Sequence, residues 1–367
     1  MTERKKYRYL PDYAVPPGDV LAEYLESLGM TQAELADRTG MARKTVNEII
    51  KGKAAITPET AIRLERTLGR PADFWSNLER QYQEVAARLA EKQRLRDHLA
   101  WLKTLPVHHM VQHGWIPKRE EKVQQLEEVL RFFGIASPEQ WHAVWAGHQV
   151  NYRQTERYEK NAIAVSAWLR RGEIMARPIG CAPFSRAQFR AVLFRARDLT
   201  REVPKVFQPQ LVELCRTAGV AVVFVPELPK TGVYGATRWL GDRAVIQLSL
   251  RYKSNDHLWF TFFHEAGHIL LHGKKEVFLE SGQHGGEKEA EADSFAEDFL
   301  IPPNDYADFV ATRTLTLANI REFAAEIGIA PGIVVGRLQH DELLPRNSGN
   351  RLKVFYRWTA AEDVHSK

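Results

Sequence analysis

The segment Leu258–Leu271, LWFTFFHEAGHILL, constrains the fold more than any other stretch of the chain. Apolar residues flank His264-Glu265-x-x-His268 on both sides, so it reads as a buried helix. A polar group buried without a partner costs on the order of 2–7 kcal/mol, so the rest of the chain must bring polar neighbours to these side chains. Residues four apart share a helix face, which turns His264 and His268 toward one ion. Glu265 falls beside them, placed to take a proton from an activated water without being a ligand. Zn²⁺ suits such a set, because it accepts nitrogen and oxygen ligands and keeps one position open. Gly267 weakens the helix it sits in, which points to close approach by another backbone or by a substrate.

A second helix follows, EKEAEADSFAEDFLIPP over 287–303. Glu289 and Asp293 share one of its faces, so one is positioned to ligate the metal and the other to orient a ligand histidine. Glu291 competes for the ligand role; it points about 200° away from Glu289, and only one of the two can serve. His272 extends the histidine series by another turn. Residues 264, 268 and 272 span roughly 12 Å of helix axis, whereas metal–nitrogen bonds are about 2 Å. His272 is therefore read as a C-terminal helix residue before Gly273, favoured there by the macrodipole, and not as a ligand.

Around these helices the texture of the chain changes twice. Residues 1–92 read as a run of short helices, and 93–204 as a helical connecting region rich in Trp, Arg and Gln, without a motif. From 205 onward, VAVVFVPEL, GVYGATRWL and RAVIQLSL are short β-branched runs punctuated by Gly and Pro, as in a small sheet. The expected fold class is mainly α with a small β-sheet (α+β). A charged fraction of 26% and a hydrophobic fraction of 44% suit a globular chain. No apolar run approaches the roughly 20 residues a bilayer demands, and the basic MTERKKYRYLPDY lacks the apolar core of a secretory signal. Cys181 and Cys215 sit in no paired metal spacing, which argues for a reducing cytoplasm. The net charge of +5 permits nucleic-acid binding without requiring it.

MTQAELADRTGMARKTVNEIIKGKAAIT, residues 30–57, has the layout of a helix-turn-helix. Thr31 and Glu34 form a capping box, Ala36 allows close packing, Gly40 opens the turn, and Val46, Ile49 and Ile50 make a buried stripe. The exposed face of the second helix then carries Arg43, Lys44, Thr45 and Asn47, side chains suited to guanine and adenine edges. Lys51 and Lys53 are placed for phosphates, and Gln32 for a phosphate or a base edge.

Two resemblances follow from these residues. VPPGDVLAEYLESLGMTQAELADRTGMARKTVNEIIKGKAAITPETAIRLERTLGRPADFWSNLERQY resembles the HigA-type antitoxin branch of the Cro/C1 (XRE) helix-turn-helix family. It implies an N-terminal five-helix domain that binds palindromic, double-stranded operator DNA as a homodimer; one recognition helix reads too few base pairs alone. FTFFHEAGHILLHG with EAEADSFAEDFLIP resembles the ImmA/IrrE family of zinc metallopeptidase-like proteins, over roughly 205–340 of a domain placed at 205–367. That resemblance implies a zincin-like fold, Zn²⁺ held by His264, His268 and Glu289, Asp293 as the orienting neighbour, and Glu265 as general base in cleavage of a protein substrate, often a repressor. GVYGATRWLGDRAVIQLSLR resembles that family's strand pair, whose edge is expected to accept an extended peptide. Tyr234, Arg238 and Arg337 are candidates to stabilise the oxyanion. The reading is a cytoplasmic, nucleoid-associated transcriptional regulator with a zinc endopeptidase domain. Its alternative is a non-enzymatic antitoxin or repressor whose C-terminal domain only binds a toxin or sensor ligand.

Overall fold

The computed structural model describes residues 13–145, 162–273, 278–280 and 286–358; most of the basic N-terminal stretch lies outside them. Two units emerge, Met1–Leu99 and Ala100–Lys367. Among the described residues no helix is long and apolar enough to cross a membrane.

The first unit is built from α1 (Pro17–Ser27), α2 (Gln32–Thr39), α3 (Arg43–Ile50), α4 (Pro58–Leu68) and α5 (Ala72–Asp97). Local chemistry sets the boundaries. Thr31 accepts from the Glu34 backbone N–H at 3.1 Å, and Thr57 accepts from that of Thr60 at 3.2 Å ahead of Pro58. The reciprocal half of the expected capping box is missing, because the Glu34 carboxylate turns to Arg38 instead. Gly40 ends α2 with φ +68°, a left-handed conformation that glycine adopts without steric cost. Leu21, Leu35, Ala36, Val46, Ile49, Leu64 and Trp75 form the core between the helices.

In the second unit a four-stranded sheet is the organising element, in the order β1-β3-β2-β4. The strands are β1 (Val220–Phe224), β2 (Gly235–Leu240), β3 (Arg243–Leu248) and β4 (Phe278–Glu280). β1 runs parallel to β3, while β2 is antiparallel to both β3 and β4. Both faces are covered, which explains why VAVVF is apolar without alternation. On one face Val220, Val222, Ala244, Ile246 and Leu248 pack against the helices that follow the sheet, and also against Phe189, Leu193, Phe207 and Leu211. Their alternates Ala221, Val223, Ala236 and Val245 pack against Met110, Val129, Phe133, Trp141, Val165 and Trp168.

The layer on that second face corrects the expectation of a connecting region at 93–204. After α6 (Leu99–Leu102) come α7 (Val107–Gln112), α8 (Lys122–Phe133), α9 (Pro138–Trp145), α10 (Ala162–Ala176), α11 (Arg186–Asp198) and α12 (Pro204–Thr217). These helices are built into the core of the second unit, α7 to α10 on this second face and α11 and α12 on the first. Trp168 is fully buried and donates its indole N–H to the Val225 carbonyl at 3.1 Å. Gln247, buried in β3, donates to the Trp168 carbonyl at 2.7 Å. The boundary between units falls at Leu99/Ala100 rather than at 92/93.

Beyond the sheet lie α13 (Asn255–Leu271), α14 (Glu287–Leu300), α15 (Pro303–Thr312), α16 (Leu317–Glu326) and α17 (Pro331–His340). α13 is the histidine helix, buried over nearly its whole length.

Candidate metal centre and nucleic-acid interface

Close contact between α13 and α14 builds the candidate centre. Gly267 faces Ala292 and Phe295, and a Cβ there would stand 3.3 Å from the Ala292 Cα. Ala292 and Ala296 are fully buried small residues on the facing side. This spacing brings Glu289 and Asp293 against the histidines. His264 Nε2 lies 3.0 Å from His268 Nε2, 3.2 Å from Glu289 Oε2, and His268 Nε2 is 3.6 Å from Glu289 Oε1. Ligand atoms around a tetrahedral Zn²⁺, each about 2.0–2.1 Å from the ion, sit roughly 3.3 Å apart. The measured spacings bracket that value, so the donor set fits the ion. Among the described residues, His264, His268 and Glu289 form the group able to hold a metal; Glu291 and His272 lie outside it.

Protonation states agree with this fit. Asp293 Oδ1 is 2.8 Å from His264 Nδ1, so the N–H sits on Nδ1 and the Nε2 lone pair faces the cluster. Burial lowers the pKa of His268, which favours neutral imidazole. Burial pushes the Glu289 carboxyl up, but the imidazoles of His264 and His268 against it outweigh that and bring the group down to about 2. Neutral imidazole and ionised carboxylate are the forms a metal takes.

Glu265 is fully buried, and its backbone carbonyl accepts from the Thr237 hydroxyl at 2.9 Å, tying α13 to β2. A Cβ at Gly235 would lie 2.6 Å from Glu265 Oε1, so the first residue of β2 must be glycine for strand and carboxylate to meet. β4 pairs with β2 over Gly235–Thr237. The edge expected to receive a peptide is thus already paired along half its length. Phe278 of β4 stacks on the His268 ring, with centroids 4.0 Å apart. A three-residue strand has no periodicity to read, and the sequence offered no sign of it.

One helical turn from His264 and Asp293 opens a cavity of about 590 Å³, lined in part by Tyr234, His257, Phe260, Glu297 and Arg337. Tyr234 donates to the Tyr252 hydroxyl at 2.8 Å, and Arg337 is held by Glu297 and Asp341. Arg238 leaves the list of oxyanion candidates. In β2 it alternates with Thr237, so it points to the opposite face of the sheet and donates to the Leu169 carbonyl at 2.6 Å.

In the first unit, Arg43, Lys44, Asn47, Glu48, Lys51 and Lys53 line one shallow hollow. Thr45 is not part of it: it sits about 100° further round α3 than Lys44 and is half-buried. Gln32 is exposed at the start of α2 and does not line that hollow. Arg43 pairs with Asp37 at 3.7 Å and Lys44 with Glu48 at 3.8 Å. Exposed pairs of this kind contribute at most about 1 kcal/mol, so phosphates can displace them. Glu48 carried no signal in the sequence beyond its position one turn after Lys44.

A helix-turn-helix family model matches residues 21–75, and a model described as IrrE N-terminal-like domain matches 215–339. The HTH-type transcriptional regulator YddM of Escherichia coli is 38% identical over 63 residues, covering 17% of this chain and 67% of that protein. Antitoxin HigA-1 of Vibrio cholerae is 38% identical over 66 residues, covering 18% of this chain and 62% of that protein. The solved structure of an addiction module antidote protein of the HigA family from Coxiella burnetii is 30% identical, covers 23% of this chain and 92% of its own, and has a TM-score of 0.22. The N-terminal unit is a DNA-binding helix-turn-helix of the transcriptional-regulator type. The chain belongs to the helix-turn-helix family through its N-terminal unit and carries an IrrE N-terminal-like domain in its C-terminal one.

Proposed function

We propose that this chain is an operator-binding regulator whose second unit is a zinc-dependent endopeptidase acting on a protein partner, a repressor or a toxin. The observation that carries it is the convergence of His264 Nε2, His268 Nε2 and the Glu289 carboxylate, ligand atoms within 4.8 Å of one another, one residue from a buried glutamate. Zn²⁺ at that point supplies Lewis acidity. Glu265 takes the proton of the attacking water on its carboxylate and passes it to the departing amine. Asp293 keeps the His264 ring oriented through the Nδ1 bond. Thr237 anchors the Glu265 backbone to β2, so acid–base group and peptide-pairing strand keep a fixed spacing. Tyr234 and Arg337 border the cavity next to the centre and are the candidates for contact with substrate. In the first unit Arg43, Lys44 and Asn47 read base edges, Lys51 and Lys53 hold phosphates, and two copies of the chain span a palindrome.

Metal analysis of the purified protein, together with Glu265→Gln followed in cells for loss of the partner, tests the reading. Zinc is expected at one per chain, with metal and DNA binding unchanged in the variant and partner turnover abolished. Turnover that persists in Glu265→Gln removes the general-base role. Stable partner with wild-type chain leaves the non-enzymatic antitoxin, a reading favoured by β4 lying on the strand a peptide needs. For the other unit, Arg43→Ala is expected to weaken operator binding far more than binding to random DNA; an equal loss on both makes Arg43 a phosphate contact.

A further inference from the structure

His272 and Glu291, both outside the metal-holding group, are joined to it by a defined chain of hydrogen bonds. His272 ends α13, where its backbone N–H caps the His268 carbonyl at 3.1 Å. Its Nδ1 lies 3.0 Å from His268 Nδ1, and its Nε2 lies 3.0 Å from Glu291 Oε2. We propose that Glu291 and His272 are positioning residues that fix His268 in the tautomer whose Nε2 lone pair faces the centre. The proposal rests on the reading of His268 as a metal ligand through Nε2.

The direction of each bond follows from the chemistry of its ends. An ionised carboxylate only accepts, so the Glu291 contact places a proton on His272 Nε2. A neutral imidazole carries one N–H, which leaves His272 Nδ1 as an acceptor. The proton between the two Nδ1 atoms then belongs to His268. With its N–H on Nδ1, His268 presents a lone pair at Nε2, 3.6 Å from Glu289 Oε1 and 3.0 Å from His264 Nε2. His264 reaches the same state by a shorter route, through direct contact with Asp293. The two histidines differ because they sit one turn apart on α13 while α14 offers carboxylates at fixed positions. Asp293 meets the first ring directly, and Glu291, on another side of α14 from Glu289, meets the second only through the next imidazole. Stacking of Phe278 fixes the plane of the His268 ring. It does not distinguish Nδ1 from Nε2, and that choice is left to His272.

Two measurements on the full chain test the proposal: ¹⁵N shifts of the histidine ring nitrogens in metal-free protein, and zinc affinity by chelator competition. In the wild type, His268 is expected to show a protonated Nδ1 and an unprotonated Nε2. His272→Leu is expected to mix the two tautomers of His268 and weaken zinc binding by about 10–100-fold. His272→Asn, whose side-chain carbonyl offers an acceptor close to where Nδ1 stood, is expected to recover most of both. Operator binding and the His264 signals stay at wild-type values in each variant. A wild-type His268 protonated on Nε2, or a His272→Leu variant with unaltered tautomer and zinc affinity, overturns the proposal. A wild type that takes no zinc yet shows the His272-dependent tautomer retires the metal reading and leaves the tautomer control standing.

Discussion

Replacing Gly267 with leucine is the sharpest test of how the candidate centre is assembled. A Cβ at this position would stand 3.1 Å from Phe295 Cδ1 and 3.3 Å from the Ala292 Cα. Alanine needs only a few tenths of an ångström of adjustment and gains about 1 kcal/mol in helix propensity, so Gly267→Ala is expected to be close to neutral. Leucine adds three further carbons where there is no room, and overpacking of that kind costs about 1–3 kcal/mol. At roughly 2–4 °C per kcal/mol for a large domain, the melting temperature should fall by about 2–12 °C. The structural response is separation of α13 from α14. An opening of about 1 Å takes the 2.8 Å Asp293–His264 bond out of hydrogen-bond range and draws Glu289 away from both imidazoles. Zinc affinity is then expected to drop at least about 10-fold. Thermal unfolding and chelator competition on wild type, Gly267→Ala and Gly267→Leu give the answer. Leucine with wild-type affinity, or alanine as damaging as leucine, refutes the argument that helix spacing sets the ligand geometry.

Three further outcomes follow from the packing and the titrating groups. Trp75→Ala, at the fully buried centre of the first unit, is expected to cost about 3–5 kcal/mol and abolish operator binding in a gel-shift assay while zinc content holds. Trp168→Ala should cost the second unit a similar 3–5 kcal/mol or so, read as a lower urea midpoint; an unchanged midpoint would contradict its place in the sheet's covering layer. For pH, burial lowers the pKa of His257, and Lys353 adds to that while Asp256 opposes it. The unfolded chain therefore binds the proton more readily, so stability falls as pH drops below the ordinary histidine value of about 6.5. His257→Asn should flatten that slope in thermal scans across the acidic range, and an unaltered slope would exclude His257 as a source.

Where the candidate residues sit on one helix, spacing along the sequence was enough to group them. His264 and His268 declare themselves by spacing, and Gly267 by its poor fit to a helix otherwise made of apolar residues. Arg43, Lys44, Asn47, Lys51 and Lys53 of the basic face group the same way, whereas the angular position of Thr45 is clear only once the helix phase is known. Contacts between distant segments were not readable. Trp115, Trp141 and Trp168 look like scattered aromatics until the sheet face they cover is in place. Arg238 looked available because its strand was identified without its facing. β4 has only three residues and so no period to read, and the contact of Glu291 with His272 joins two helices whose facing the spacing along the chain does not give.

The helices between Ala100 and Thr217 bear on how this protein can be divided. The family match begins at residue 215, yet the rear of the sheet is sealed by side chains that come well before it in the chain, Trp168 and Val129 among them. A fragment excised at the match boundary would carry a bare apolar wall into water and be prone to self-association. Anyone transplanting the second unit onto another DNA-binding domain should make the cut at Leu99/Ala100, and evolutionary shuffling of such chains faces the same seam.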